Sequence, residues 1–485
     1  MKRRDFVRGA VTANFALRAA VPVSPDGKTL HYRPADGWFG DAIPFCWDGV
    51  YHVFYLKKPV QVGLPTHWAH ISSSDLVRWT EHPDPLEGTS LTGSVIEKDG
   101  VFHAYYTANG VSHMTSRDLI RWDQDRANPV VPLDPRWYEV AWRDPHVFWN
   151  PDAKSYWMLI CARTKSDGTN PLTGCLALAT SPDLERWTVQ PPAWAPQMST
   201  CVECPDLFRY GKKWVLIYFW HETRVRLADS LSGPWQRPPV QAPDSFDLFA
   251  GKTMGDGRRR ILIGWLPRRS SDSAERTWGG NMLLPREWYL LADGSPATRC
   301  APEVIRSFGS DATAGSGARV LRPSMSSWTI SADSASVALT AGRAALACWT
   351  DAPPDYYLHA DLRFSPGASA AIFFRGQPAA GTAWKYKTPL DAGYGLHLDP
   401  VRGTVSLRKW YQWEQRSPML EVPFQFPRGR AASLDMVVHG DIFEVFLDER
   451  QSLVSRLLEH PSGSLALLAQ DGSVAAQNVK LRRLA

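Results

Sequence analysis

The chain is predicted to be all-β, with a five-bladed β-propeller followed by a C-terminal β-sandwich. Three observations predict it. An aromatic-rich run recurs five times, a Ser-x-Asp-Leu turn recurs beside it, and the texture changes to short alternating runs beyond Pro296. Turn residues are abundant, with 35 Gly and 38 Pro, and no long stretch has helical periodicity. At 485 residues the chain exceeds what one core usually supports, so two domains are expected.

Residues 1–28 read as a leader. Lys2-Arg3-Arg4-Asp5-Phe6-Val7-Arg8 resembles a twin-arginine export signal, although the stretch behind it is only mildly apolar and Arg18 interrupts it. A functional signal implies a periplasmic or secreted protein, and otherwise the protein is cytoplasmic. No segment is long and apolar enough to span a membrane.

Residues 29–304 carry the repeats. The copies are Val50–Tyr55, Val101–Tyr106, Ser155–Ile160, Lys213–Tyr218 and Arg260–Trp265. Aligned on Tyr51, Phe102, Tyr156, Trp214 and Ile261, they lie 51, 54, 58 and 47 residues apart. Units of this length, each holding several short strands, are the signature of propeller blades. The turn Ser73-Ser74-Asp75-Leu76-Val77-Arg78-Trp79 returns at Ser116–Trp122 and Ser181–Trp187, and in degraded form at Ser230–Trp235. Ser and Asp bond their own backbone in such turns, and the Trp then packs on the next strand.

Residues 305–325, rich in Gly, Ser, Ala and Arg, read as a linker. Residues 326–485 then supply alternating runs at Tyr356–Phe364, Ala370–Phe374, Gly393–Leu398, Thr404–Lys409, Ser433–His439, Ile442–Leu447 and Ser464–Ala469. Short strands at this density predict a sandwich with no catalytic cluster of its own.

A formal charge of +5 with no basic run gives no footprint for nucleic acid, and no membrane partner is called for. The 22 Trp are more telling, because indole faces are platforms for sugar rings as well as core. Seven Cys without framework spacing argue against a disulfide scaffold. Cys201-x-x-Cys204 has ligand spacing but lacks a second pair, so neither metal nor cofactor is expected. The oligomeric expectation is a monomer or homodimer.

Within each repeat, the segment preceding the aligned aromatic should form the innermost strand. Reading that register gives Asp41, Thr92, Asp144, Glu203 and Asp247, which would converge on one rim of a central funnel. Asp41, Asp144 and Glu203 sit among aromatic and apolar neighbours. Burial raises one carboxyl pKa while an adjacent Arg keeps another ionised. Two carboxyls held apart in protonation state are what glycoside cleavage needs. A lone Asp-Pro or Glu-Cys is usually a turn residue; three acids at corresponding places in a repeat carry more weight.

Trp142-Arg143-Asp144-Pro145 and Glu203-Cys204-Pro205-Asp206 resemble the Arg-Asp-Pro and Glu-Cys motifs of glycoside hydrolase family 32, the β-fructofuranosidases, inulinases and levanases. The segments His67–Trp79, Thr92-Gly93-Ser94, Asp247-Leu248-Phe249-Ala250 and Leu284-Pro285-Arg286-Glu287 are similar to further family segments in the same order. The resemblance covers roughly residues 30–300 and implies a substrate that is an oligo- or polysaccharide furanoside. It implies Asp41 as nucleophile, Glu203 as acid/base, and Asp144 as transition-state stabiliser tuned by Arg143. The reaction would be a retaining double displacement with the Asp41 and Glu203 carboxyls about 5–5.5 Å apart. Trp38, Phe39, Trp68 and Trp278 are candidate ring platforms; Thr92, Asp206 and Asp247 are candidate hydroxyl contacts.

The nucleophile segment departs from the family's Trp-Met-Asn-Asp-Pro-Asn-Gly. It reads Trp38-Phe39-Gly40-Asp41-Ala42-Ile43-Pro44, which lacks the amides that hold fructose. Three alternatives therefore stay open: an arabinofuranosidase-like enzyme, a fructosyltransferase, or a carbohydrate-binding propeller without catalysis.

Overall fold

The computed structural model describes residues 29–166, 173–270, 275–311, 328–331, 333–349, 352–378, 390–411, 414–415 and 418–484. The leader read at residues 1–28 lies outside them. The described chain is all-β, with one short helix among the described residues.

The N-terminal part is a succession of antiparallel units. The first is β1 (Gly37–Trp47), β2 (Val50–Pro59), β3 (His67–Ser73) and β4 (Thr80–His82); the second is β5 (Leu91–Lys98), β6 (Val101–Thr107), β7 (Val111–Ser116) and β8 (Asp123–Gln124). The third is β9 (Tyr138–Asn150), β10 (Ser155–Thr164), β11 (Gly174–Ser181) and β12 (Thr188–Met198). The fourth is β13 (Glu203–Tyr210), β14 (Lys213–Trp220) and β15 (Glu222–Ala228), extended by a bridge between Leu227 and Gln236. The fifth comprises β16 (Phe249–Gly255), β17 (Arg260–Arg268), β18 (Thr277–Met282), β19 (Arg286–Leu290) and β20 (Pro296–Cys300). Each recurring aromatic run is the second strand of its unit.

Those runs are apolar without alternation because both faces of each sheet are covered. Phe54 and Leu56 of β2 pack with Phe102, Ala104 and Tyr106 of β6, whereas Val53 and Tyr55 pack with Ile261, Ile263 and Trp265 of β17. Tyr105 packs toward Met158 and Ile160. Leu159 and Leu176 meet Trp214, Leu216 and Tyr218, and Val215 and Ile217 meet Leu262 and Leu266. One apolar core thus fills each gap between successive units, including the gap between the fifth and the first. The leading strands pack in the closed order β1–β5–β9–β13–β16–β1, and β1 pairs with β18 at Phe39 and Gly280.

The recurring turns are built as their residues dictate. Asp75 Oδ1 accepts the Val77 and Arg78 N–H groups at 2.9 and 2.8 Å, and Asp118 and Asp183 repeat the pattern. These bonds hold Leu76, Leu119 and Leu184 at φ of 61°, 62° and 72°, a left-handed conformation unfavourable for leucine by about 1–2 kcal/mol. All three leucines are buried, so the strained backbone delivers an apolar anchor to the core.

The C-terminal part forms two antiparallel sheets that share one core, in which Phe374 stacks on Phe443 at 5.0 Å. All seven runs read from the sequence there fall within strands. The predicted linker needs correction at its start. The helix α1 (Pro302–Ser307) and a strand at Phe308–Asp311 occupy it, and the strand pairs with Val474–Leu484 of the C-terminal sheet. Residues 312–325 lie outside the described set. Arg286 joins the two parts, bonded to Asp244 and Glu444. Glu444 also accepts the Leu284 N–H at 2.8 Å and contacts His31 Nε2 at 2.9 Å.

Candidate active site

Every leading strand is interrupted by a β-bulge at the same level. Gly40-Asp41 stand opposite Leu56, Asp144-Pro145 opposite Ile160, Cys204-Pro205 opposite Tyr218, and Ala250-Gly251 opposite Gly264; Thr92 is the extra residue of β5. Asp144, Cys204 and Ala250 take φ of 57°, 49° and 47°. A bulge re-aims side chains that would otherwise point into the gaps between sheets. Here it turns them toward the common axis. The pairing also corrects the sequence register. Asp41 is the second bulge residue of its strand, Asp144 the first, and Glu203 the residue before the bulge, so the acids occupy three successive positions at one level.

Asp41 and Asp144 are drawn together with Glu203. Asp41 Oδ1 accepts the Trp265 indole N–H at 2.9 Å. Burial pushes its carboxyl up to about 7, helped by the charges of Asp144 and Glu203 and opposed by the indole N–H. Asp144 is buried, and its Oδ2 accepts the Cys204 N–H at 3.1 Å. Burial raises its pKa too, while the Arg143 guanidinium pulls it back. Arg143 places Nη2 2.5 Å from Glu203 Oε1 and Nε 3.8 Å from Asp144 Oδ2. The Glu203 side chain is 39% exposed, so this carboxyl is open to solvent. One partly buried carboxyl that holds its proton near neutrality, beside an open carboxyl and a bridging guanidinium, is equipped for acid–base and nucleophilic work.

The remaining predicted residues separate into rim, core and scaffold. Trp278 is partly buried and meets Trp265 edge-on at 5.4 Å. Its Cη2 and Cζ2 lie 2.4 Å from where a Gly40 side chain would begin, so only glycine fits beneath this indole. Trp38 is partly buried, with the guanidinium groups of Arg33 and Arg268 4.5 and 4.2 Å from its ring centre. Phe39 and Trp68 are fully buried: Phe39 stacks on Tyr55 at 4.4 Å and Trp68 bonds the Leu91 carbonyl. Neither offers a face to a sugar. Thr92 is buried at the β5 bulge. Asp206 is buried and accepts the Thr253 N–H and O–H at 2.8 and 2.6 Å, and lines an axial cavity of about 310 Å³. Asp247 lies two residues before β16, off the bulge level, fully buried between Arg269 and Arg276.

Two participants, Trp265 and Lys252, escaped the sequence reading, while Cys204, read there within the Glu-Cys motif, brings both its backbone N–H and its Sγ (3.9 Å) to Asp144 Oδ2. Trp265 ends a recurring run and looked like core. Lys252 follows the β16 bulge, and its position two residues after Ala250 was the available signal. Cys201 also approaches the site, 4.0 Å from Arg143 Nη1. A hydrogen bond with the Cys161 thiol and the Arg143 charge pull its thiol down to about 6.

The model described as the glycosyl hydrolases family 32 N-terminal domain matches residues 31–296. Sucrose-6-phosphate hydrolase of Vibrio alginolyticus is 26% identical over 316 residues, covering 57% of this chain and 63% of that protein. Raffinose invertase of Escherichia coli is 27% identical over 319 residues, 57% of this chain and 64% of that one. The chain thus matches under two thirds of these curated relatives' length. The structure of a Bombyx mori β-fructofuranosidase superposes with a TM-score of 0.67 at 18% identity, covering 95% of both chains. That of Aspergillus awamori exo-inulinase gives 0.67 at 18%, covering 94% and 98%. At such identity the superpositions establish the fold.

Proposed function

Since the chain belongs to glycosyl hydrolase family 32, we propose that it cleaves a fructofuranosidic bond of the sucrose or fructan type. Asp41 attacks the anomeric carbon and forms a covalent furanosyl-enzyme. Glu203 protonates the departing oxygen, then takes a proton from the water that releases the sugar. Asp144 binds ring hydroxyls and stabilises the oxocarbenium-like transition state, with Arg143 orienting both acids. The observation that carries this reading is the convergence of three carboxyls from three leading strands, coupled in charge and bridged by one guanidinium.

The same reading makes the five N-terminal units, residues 29–304, blades of a β-propeller, and the C-terminal sheets, residues 326–485, a β-sandwich. The closed packing order of the leading strands and the shared core of the two later sheets support it.

One observation favours an altered glycone. The Trp278 indole fills the space a side chain at position 40 would need, which leaves an apolar wall beside Asp41. A furanoside whose corresponding edge is less hydroxylated fits that wall better than one requiring an amide there. Product analysis on a furanoside panel, with Glu203→Gln as control, tests both readings.

A further inference from the structure

Lys252 has no part in the scheme above, yet its side chain crosses the centre of the molecule. It leaves β16 just after the Ala250-Gly251 bulge, is 3% exposed, and donates from Nζ to the Gly93 carbonyl of β5 at 2.7 Å. Strands β16 and β5 flank β1 on opposite sides, so the stem passes across the axis beside the strand that carries Asp41. Gly93 is itself held to glycine, because a Cβ there would lie 1.8 Å from the Tyr105 carbonyl oxygen. The Lys252 side chain also lines the 310 Å³ axial cavity.

The groups that face it come from each neighbouring strand. The acidic groups that act on its charge are Cys204 and Asp206 on β13, then Asp144 on β9 and Asp41 on β1. Arg260 and His146 line the same cavity, and burial keeps His146 neutral, with its pKa lowered to about 4. Around the axis, Arg143 is committed to the solvent-facing side, against Glu203 and Asp144. On the inner side, Lys252 lies in the field of Asp144 and Asp41. Burying an ammonium is unfavourable by several kcal/mol unless fixed anions compensate it, so its presence here calls for a role.

We propose that Lys252 supplies the fixed positive charge against which the Asp41 and Asp144 carboxyls ionise, and is thus a positioning residue for the nucleophile. This rests on the assignment of Asp41 above. With Arg143 as their one cation, two adjoining desolvated carboxyls would tend to share a proton and keep the nucleophile neutral to higher pH. A cation stretched beneath them from one strand to another keeps one free to attack.

The test replaces Lys252 by Met, similar in shape and without charge, and by Arg, which keeps the charge. In the wild type, kcat/KM on a cleaved furanoside should fall on the acidic side as Asp41 takes its proton. In Lys252→Met that limb should move to higher pH by about one unit, a tenfold loss in acid with a smaller one on the alkaline plateau. Lys252→Arg should restore the limb. Unfolding measured against pH gives a readout that needs no substrate. The pH above which stability levels off should rise in Lys252→Met, and Asp41→Asn in the same background should abolish that rise. A moved unfolding profile with no fructoside turnover would retain Lys252 and remove the fructosidase reading. Unmoved limbs in both measurements would overturn the proposal. If Lys252→Met fails to fold, Lys252→Gln carries the same comparison.

Discussion

Arg143 bridges two carboxylates from different strands, with Nη2 2.5 Å from Glu203 Oε1 and Nε 3.8 Å from Asp144 Oδ2. Only a planar fork reaches both at once, and a lysine at this position would serve one. Arg143→Lys should therefore lower kcat by about a hundredfold with little change in Tm. Steady-state kinetics beside thermal unfolding check this; a variant with wild-type kcat would remove Arg143 from the machinery.

Asp41 makes stability depend on pH in a definite direction. Its folded pKa, about 7, lies above the ordinary aspartate value of 3.8, so the native state binds the proton more tightly. The protein should be most stable in acid with respect to this group, lose stability as pH rises from about 4 to 7, and change little above that. Asp41→Asn keeps an acceptor for the Trp265 N–H and removes the charge. It should be inactive, flatten the profile between those limits, and raise Tm at pH 8. A lower Tm at pH 8 would mean that the charge is compensated elsewhere.

Gly40 and Trp278 are a coupled pair. Gly40→Asn restores the residue usual in the family but drives a side chain into the indole, a strain of about 1–3 kcal/mol. It should lower both activity and stability. Adding Trp278→Ala should recover the stability and, by reopening the wall, raise the preference for fructosides over other furanosides. The double variant's kcat/KM ratios on the two substrate types decide this.

Glu444 ties the two parts of the chain through Arg286, His31 and the Leu284 N–H. Glu444→Ala leaves a buried guanidinium half-paired, which should destabilise by about 3–5 kcal/mol. Urea unfolding should show the N-terminal and C-terminal parts loosened together; a loss under 1 kcal/mol would contradict the role of this junction.

Much of the architecture was legible because burial on both faces writes itself as unbroken apolar runs, as at Val50–Tyr55 and Lys213–Tyr218. The Asp75, Asp118 and Asp183 turns were legible because local hydrogen bonding is encoded within a few residues. The bulges were not, since a bulge is a property of pairing between strands. Counting back 14 residues from Ile261 therefore placed Asp247 on the rim, although it lies before its strand and serves Arg269 and Arg276. Aromatic platforms were harder still. Phe39 and Trp68 read no differently from Trp278, and only neighbours distant in sequence decide which ring is core. Lys252 was passed over despite its place two residues after Ala250, because its importance arises from carboxyls 46 to 211 residues away.

The most direct measurement is product analysis of the wild type and Glu203→Gln on sucrose, inulin, levan and aryl arabinofuranosides. The account predicts fructose release by the wild type, with retained configuration in the first-formed product, and its loss in the variant on unactivated substrates. Cleavage confined to an arabinofuranoside, or equal fructose release by both proteins, would contradict it.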